Sequence, residues 1–216
     1  MSIFQSFDIE TGGMVLGKHP LLAIGTSVYE YNKNGTYILL DTLEVHFHGN
    51  EEDYDPDTLD WWKQQDTWDT IKSNCVSLQE GAEMLKAFIE KWQQEAIFNR
   101  RTSYSVLTDN AWYDVVWIDW LLCTYTDEGR PLRQSYVGSY DKEGWMRIAH
   151  VIDVNQRVQG LSATGLGLNM AAAPKSVRHD HTPVHDSMGI AERWFHFLAQ
   201  TKKLRKLTRS ISTGSV

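Results

Sequence analysis

Residues 3–13 read Ile-Phe-Gln-Ser-Phe-Asp-Ile-Glu-Thr-Gly-Gly, and the two charges set into this run decide the fold. Ile3 to Ile9 is rich in apolar residues, and Thr11-Gly12-Gly13 closes it, the pattern of a buried strand that ends in a turn. Asp8 and Glu10 stand at i and i+2, so their side chains leave the strand on the same face. Unpaired charge in such a setting is costly, and this pair calls for partners from elsewhere in the chain.

Working outward, Leu21 to Tyr31 forms a second strand. Asn32-Lys33-Asn34-Gly35 is a turn, and Thr36 to Phe47 alternates as a third strand, so the last two make a hairpin. The acidic stretch Gly49 to Asp60 reads as a loop, with Asp57 or Thr58 capping a short helix that carries Trp61 and Trp62. Ser77 caps a long helix, with Glu80 three residues on and Ala82, Leu85, Phe88, Ile89 and Trp92 at helical spacing. Ser103 to Leu107 is a short strand, and residues 111–123 make a strongly apolar helix. Residues 124–165 hold a strand within Gly144 to Val154, Gly165 to Pro174 is a loop or short helix, and Met188 to Leu198 is a final helix. This order predicts an α/β domain, a mixed β-sheet with helices packed on it, over residues 1–200, with a basic tail over 201–216.

Composition bounds the function classes. The 216 residues are 42% hydrophobic and 23% charged, which excludes wholesale disorder, and nine Trp supply bulk for a core. Two cysteines, Cys75 and Cys123, allow neither a disulfide framework nor a Cys-based zinc site. No run approaches the ~18 apolar residues of a membrane span, and the N-terminus lacks the plan of a secretory signal. A cytoplasmic or otherwise intracellular location is expected, away from membranes and not secreted. Five of the 21 basic residues and none of the 28 acidic ones fall in 201–216, so the first 200 residues carry a net charge of −12. A protein that merely coats nucleic acid is usually basic throughout. An acidic body can still meet phosphates if some carboxylates hold divalent metals.

Such carboxylates are present. Asp114 lies in the helix after the fourth strand, and Asp186 lies at the start of the last helix, preceded by His181. Oxygen donors at strand ends and helix starts suit Mg²⁺. Two such ions stabilise the attacking and leaving oxygens of phosphodiester hydrolysis, and a nearby histidine can take the proton of the attacking water. His179, His181 and His185 also allow a zinc reading. Only His181 and His185 have helical i, i+4 spacing, and that reading leaves Asp8, Glu10 and Asp114 unexplained.

Three motifs carry a resemblance. Phe7-Asp8-Ile9-Glu10-Thr11-Gly12-Gly13, Asn110-Ala111-Trp112-Tyr113-Asp114 and His181-Thr182-Pro183-Val184-His185-Asp186 are similar, in order and separation, to the three motifs of the DEDD exonucleases of the ribonuclease H-like fold, in the branch with histidine in its third motif (DEDDh). Thr58-Leu59-Asp60-Trp61-Trp62-Lys63-Gln64-Gln65 further resembles a Thr-x-x-Trp-Trp-x-x-Gln segment of phage exonuclease A and the bacterial exoribonucleases similar to it. The resemblance implies a ribonuclease H-like sheet and 3′-5′ exonuclease activity, with two Mg²⁺ or Mn²⁺ ions held by Asp8, Glu10, Asp114 and Asp186 and with His181 as general base.

The expected substrate is the 3′ end of single-stranded RNA or DNA. Thr11, Gly12, Trp62, Gln65 and Asn110 are the expected substrate contacts: glycine lets a backbone approach closely, and tryptophan stacks on bases. Trp112, Trp117, Trp120 and Trp194 are expected in the core, and His46 and His48 exposed. The competing reading is a protein that binds nucleic acid without cutting it, or a proofreading or interaction subunit docked on a polymerase. Oligomeric state, a homo-oligomer included, stays open.

Overall fold

Alternation along β1 (Ser2–Thr11) sorts the molecule into layers. Ile3, Phe7 and Ile9 turn to one side of the sheet, and Phe4, Ser6 and Asp8 to the other. The first side packs on α3 (Leu78–Phe98) and α4 (Asp114–Tyr125), where Leu85, Ile89, Val115, Ile118 and Leu122 complete the larger core. The second side packs on α5 (Val154–Ser162) and α6 (Pro183–Thr213), with Phe4 among Val158, Ile190, Trp194 and Phe195. The computed structural model describes residues 2–98, 103–126, 148–162, 177 and 179–213.

The sheet has five strands in the order β3 (Tyr37–His46), β2 (Leu21–Tyr31), β1, β4 (Ser103–Thr108) and β5 (Ile148–Asp153). β1 to β3 are antiparallel neighbours, whereas β4 and β5 run parallel to β1. This is the mixed α/β sheet predicted from the order of elements. Parallel strands finish at the same edge, and that edge is where ligand sites of such sheets form. β1 outruns its pairing with β4, which ends at Ser6 and Leu107, so Asp8 and Glu10 project beyond the joined part.

A smaller cluster covers this edge. Leu22, Ala23, Tyr54 and Ile71 pack around Trp62, which ends α1 (Pro56–Trp62); the short α2 (Trp68–Ile71) follows. The cap of α1 is Asp55, whose carboxylate accepts from Thr58 N–H at 3.0 Å, in place of the expected Asp57 or Thr58. Pro56 explains the shift: it occupies the first helical position, where its missing N–H costs nothing. Ser77 caps α3 as expected, accepting from Glu80 N–H at 3.1 Å.

The final helix is far longer than Met188–Leu198. It begins at Pro183 and runs through the first thirteen residues of the basic tail to Thr213. Between Leu198 and Thr213 there is neither Gly nor Pro, and the first breaker is Gly214. α5 was not foreseen, because only Val154 and Val158 of its first two turns are buried apolar residues. The loop or short helix expected at Gly165–Pro174 lies outside the described residues. Among the described residues, no helix is long and apolar enough to cross a membrane.

Candidate active site

Three elements deliver the charged residues to one edge. Asp8 and Glu10 arrive on β1, Asp114 opens α4, and Asp186 sits in the first turn of α6. The approach of α6 depends on one missing side chain. Gly25 of β2 lies opposite Asp8 in the ladder, and a Cβ there would stand 2.0 Å from the Pro183 carbonyl carbon and 2.1 Å from Val184 N. No side chain fits at that distance, so glycine is required for α6 to begin directly over the strand pair. Glu44 of β3 secures the same point by accepting from Val184 N–H at 3.1 Å, and it is held in turn by His46 Nε2 at 2.7 Å. His46, expected to be exposed, is thus a half-buried part of this support.

One oxygen each from Asp8, Glu10 and Asp186 lies within 4.8 Å of the others. Asp114 is also buried, near enough to Asp8 for their charges to repel. Thr108 at the end of β4 donates its hydroxyl to Asp114 Oδ2, while the Asn110 carbonyl accepts from Asp114 N–H at 3.0 Å. Burial is the largest cause that lifts all four carboxyls above their ordinary range, and repulsion from nearby acids adds to it, Asp109 and Asp153 for Asp114 and Asp180 for Asp186. Asp8 feels Glu10, Asp114 and Asp186 together, and Asp114 is pushed up to about 7. Buried carboxyls raised by neighbouring acids have a local deficit of positive charge.

Asp186 shows that deficit most plainly. It is only 6% exposed, and its close polar partner is the exposed ring of His179, whose Nδ1 lies 2.8 Å from Oδ1. Burying such a group is unfavourable without a cation to meet it. The donor set therefore fits a divalent metal: clustered, buried carboxylate oxygens are the ligands hard cations take.

His181 stands beside the carboxylates, its Nδ1 3.8 Å from Glu10 Oε1, and Glu10 holds its pKa above the ordinary imidazole value. Its backbone is in the left-handed region, φ +59°. A non-glycine residue kept there costs about 1–3 kcal/mol and persists only where its surroundings impose it. Trp61 does so in part, with its ring edge-on to the imidazole at 4.7 Å between centroids.

The other expected contacts are placed differently. Trp62 is 1% exposed, and its ring N–H donates to the Thr11 carbonyl at 3.0 Å, so it has no free face for a base and is structural. Its neighbour Trp61, 40% exposed, is the one facing the site. Gly12 is tight because of the protein itself: a Cβ would meet Pro20 and Tyr54 within 3 Å. The Thr11 hydroxyl lies 2.6 Å from the Tyr113 hydroxyl, which also donates to the Gly13 carbonyl at 3.2 Å, so the first and second motifs are tied together. Gln65 donates back to the Trp61 carbonyl at 3.0 Å. Asn110 is exposed and starts α4 through its carbonyl. Trp117 and Trp194 are buried, whereas Trp112, expected in the core, is 75% exposed.

Sequence reasoning passed over Tyr113 and Glu44, and it named His179 only within the zinc reading. Tyr113 was legible only as the aromatic before Asp114; the roles of Glu44 and His179 depend on contacts across the fold.

No protein-family model matches the chain, and no curated protein matches it by sequence. Solved structures do match its fold. One of E. coli exonuclease I in complex with a dA16 oligonucleotide superposes with a TM-score of 0.60 at 11% identity over 94% of this chain. A zinc-bound complex of the same protein with single-stranded DNA gives 0.53 at 13% over 95%, and an apo exonuclease I gives 0.56 at 11% over 97%. The chain spans 42–44% of the length of these exonuclease I chains. At such identity the likeness is one of fold: the mixed sheet with helices packed on it is shared, as the motifs implied.

Proposed function

We propose that this chain is a metal-dependent 3′-5′ exonuclease that hydrolyses phosphodiester bonds at the end of a single strand. The observation that carries this reading is the convergence of Asp8, Glu10, Asp114 and Asp186, with His181 beside them, from segments far apart in the chain. The fold neighbours support it, since they are exonucleases solved with single-stranded DNA. That DNA is the first substrate to try, with RNA alongside it.

Asp8, Glu10 and Asp186, with Asp114 behind them, would hold two ions of the Mg²⁺ or Mn²⁺ class, which supply positive charge to the scissile phosphate and to the leaving oxygen. Neutral His181 accepts the proton of the attacking water. Glu10 and Trp61 fix the imidazole in place. Trp112 and Trp61, exposed on the segments that carry Asp114 and approach His181, offer ring faces to the bases near the cut. A protein that only binds nucleic acid has no use for a set of buried carboxylates that repels phosphate.

The test is degradation of 3′-labelled and 5′-labelled single strands of DNA and RNA with Mg²⁺, Mn²⁺ or chelator. Expected is metal-dependent shortening from the 3′ end, with at least one of the two polymers consumed. Intact strands of both polymers in both metals would overturn the reading.

A further inference from the structure

The loop before α6 and the first turn of that helix supply a second donor set, which overlaps the exonuclease set and adds His179 to it. One donor atom each from His179, His181 and Asp186 lies within 4.8 Å of the others, as do the oxygens of Asp8, Glu10 and Asp186. Asp186 belongs to both sets. We propose that His179, His181 and Asp186 form a binding site for a single transition-metal ion of the zinc class, and that occupancy of this site switches the exonuclease centre off. The switching half rests on the function proposed above; the site itself does not.

The chemistry of the two sets differs. Three carboxylates are a hard-oxygen site, whereas two imidazoles and one carboxylate, with a fourth position left open, are a donor set that Zn²⁺ takes readily. Affinity for nitrogen donors rises steeply along the first transition row, so scarce Zn²⁺ competes there with abundant Mg²⁺.

The geometry is nearly assembled. Donors around a four-coordinate ion with bonds of ~2.0–2.1 Å lie roughly 3.3 Å apart. His179 Nδ1 and Asp186 Oδ1 are already 2.8 Å apart, so a small opening admits an ion between them. The rings of His179 and His181 meet at 4.6 Å between centroids, and Trp61 backs His181 on another side. The Asp186 carboxylate is buried and its close polar partner is the exposed His179 ring, so an ion between them would meet a charge that the protein otherwise leaves to one imidazole. His185, although it has the helical spacing from His181, is directed elsewhere: its Nδ1 lies 3.3 Å from both oxygens of Asp180.

Inhibition follows from the shared groups. An imidazole nitrogen that donates its lone pair to a metal cannot also accept a proton from water. Asp186 drawn toward the histidines leaves the oxygen set one ligand short. His179 is thus a regulatory ligand outside the catalytic set.

Zinc binding to the full chain, measured by competition with a chromophoric chelator in millimolar Mg²⁺, tests the site. Expected is one Zn²⁺ per chain, weakened by more than roughly tenfold in His179→Ala and in His181→Ala; even outer partners of metal ligands act on that scale. His185→Ala should bind as the wild type does. Since His179 is 73% exposed, its removal leaves the fold intact, and circular dichroism checks this. Absence of stoichiometric zinc binding, or loss in His185→Ala with retention in His179→Ala, would overturn the site. A parallel assay follows hydrolysis in Mg²⁺ as Zn²⁺ is added. The wild type should lose activity as the site fills, and zinc that binds without inhibiting would overturn the switch. If no hydrolysis occurs in Mg²⁺ alone, the exonuclease reading fails, and the chelator result still decides the metal site.

Discussion

Asp114 is the residue whose charge is most directly tied to stability. Its carboxyl is raised to about 7, chiefly by burial, with Asp109 and Asp153 adding to the lift and the Thr108 hydroxyl opposing it. A carboxyl raised on folding is favourable to the folded state while both states hold the proton. It becomes unfavourable as pH climbs from about 4 through about 7, because the unfolded chain releases that proton first. In chelator, the thermal midpoint of the wild type should therefore fall across this window. Asp114→Asn should flatten the fall and abolish hydrolysis in Mg²⁺. At pH 8 it should recover a few kcal/mol, since each tenfold weakening of an acid on folding is worth ~1.4 kcal/mol. A wild-type midpoint that rises across the window would contradict the burial of this charge.

His181 titrates in the opposite functional sense. Its pKa is raised, principally by the Glu10 carboxylate beside it, and a base works only when neutral. Activity should climb with pH through that raised value, and His181→Ala should lose ~10²–10⁴-fold in rate together with that limb of the profile.

The two tryptophans separate binding from folding. Trp112→Ala should weaken single-strand binding by ~1–3 kcal/mol, the worth of one stacked base, with the melting midpoint unchanged. Trp62→Ala should cost ~3–5 kcal/mol of stability instead, because a filled core position is emptied. Dissociation constants and denaturant midpoints of the two variants, taken side by side, check both.

Among the elements, β1 was legible almost completely. Alternation and the closing Thr-Gly-Gly predicted a strand, and the two charges on one face predicted a site. Pairs such as Ser77 with Glu80, whose partners are near in sequence, were equally readable. The start of α6 was not. Its position is set by Gly25 and Glu44, about 140 to 160 residues away, through contacts that no local pattern encodes. The adjacent Trp61 and Trp62 show the same limit, since a helix turns neighbours ~100° apart and only the packed fold decides which one is inside. Gly25→Ala tests the α6 contact: a Cβ about 2 Å from backbone must lift the helix start or bend β2. Expected are a lower melting midpoint and a rate reduced by at least ~10²-fold, as displacements of ~1 Å at a reacting centre can be. A variant with normal rate would show that Asp186 is not positioned by this contact.

On the scale of the whole molecule, the acidic body and the edge site belong together. Four buried carboxyls, all raised above their ordinary range, leave this region short of positive charge until a cation arrives. The melting midpoint at pH 8 should accordingly rise on adding Mg²⁺ or Mn²⁺ to chelated protein, by the linkage between ligand and folded state. Asp8→Asn should melt higher than the wild type in chelator and gain less from metal. An Asp8→Asn midpoint that responds to metal as strongly as the wild type would remove Asp8 from the ligand set.

The seat that Gly25 provides for α6 also imposes an order in time. Asp8, Glu10 and Asp114 lie in the first 114 residues, and β1, which carries the first two, can pair with β2 as soon as both leave the ribosome. His181 and Asp186 are translated some seventy residues later, and they reach the others only when α6 settles over β2. A half-made chain can hold β1 to β4 before the acidic cluster is complete. If the proposed activity holds, it cannot appear before translation has passed the start of this closing helix.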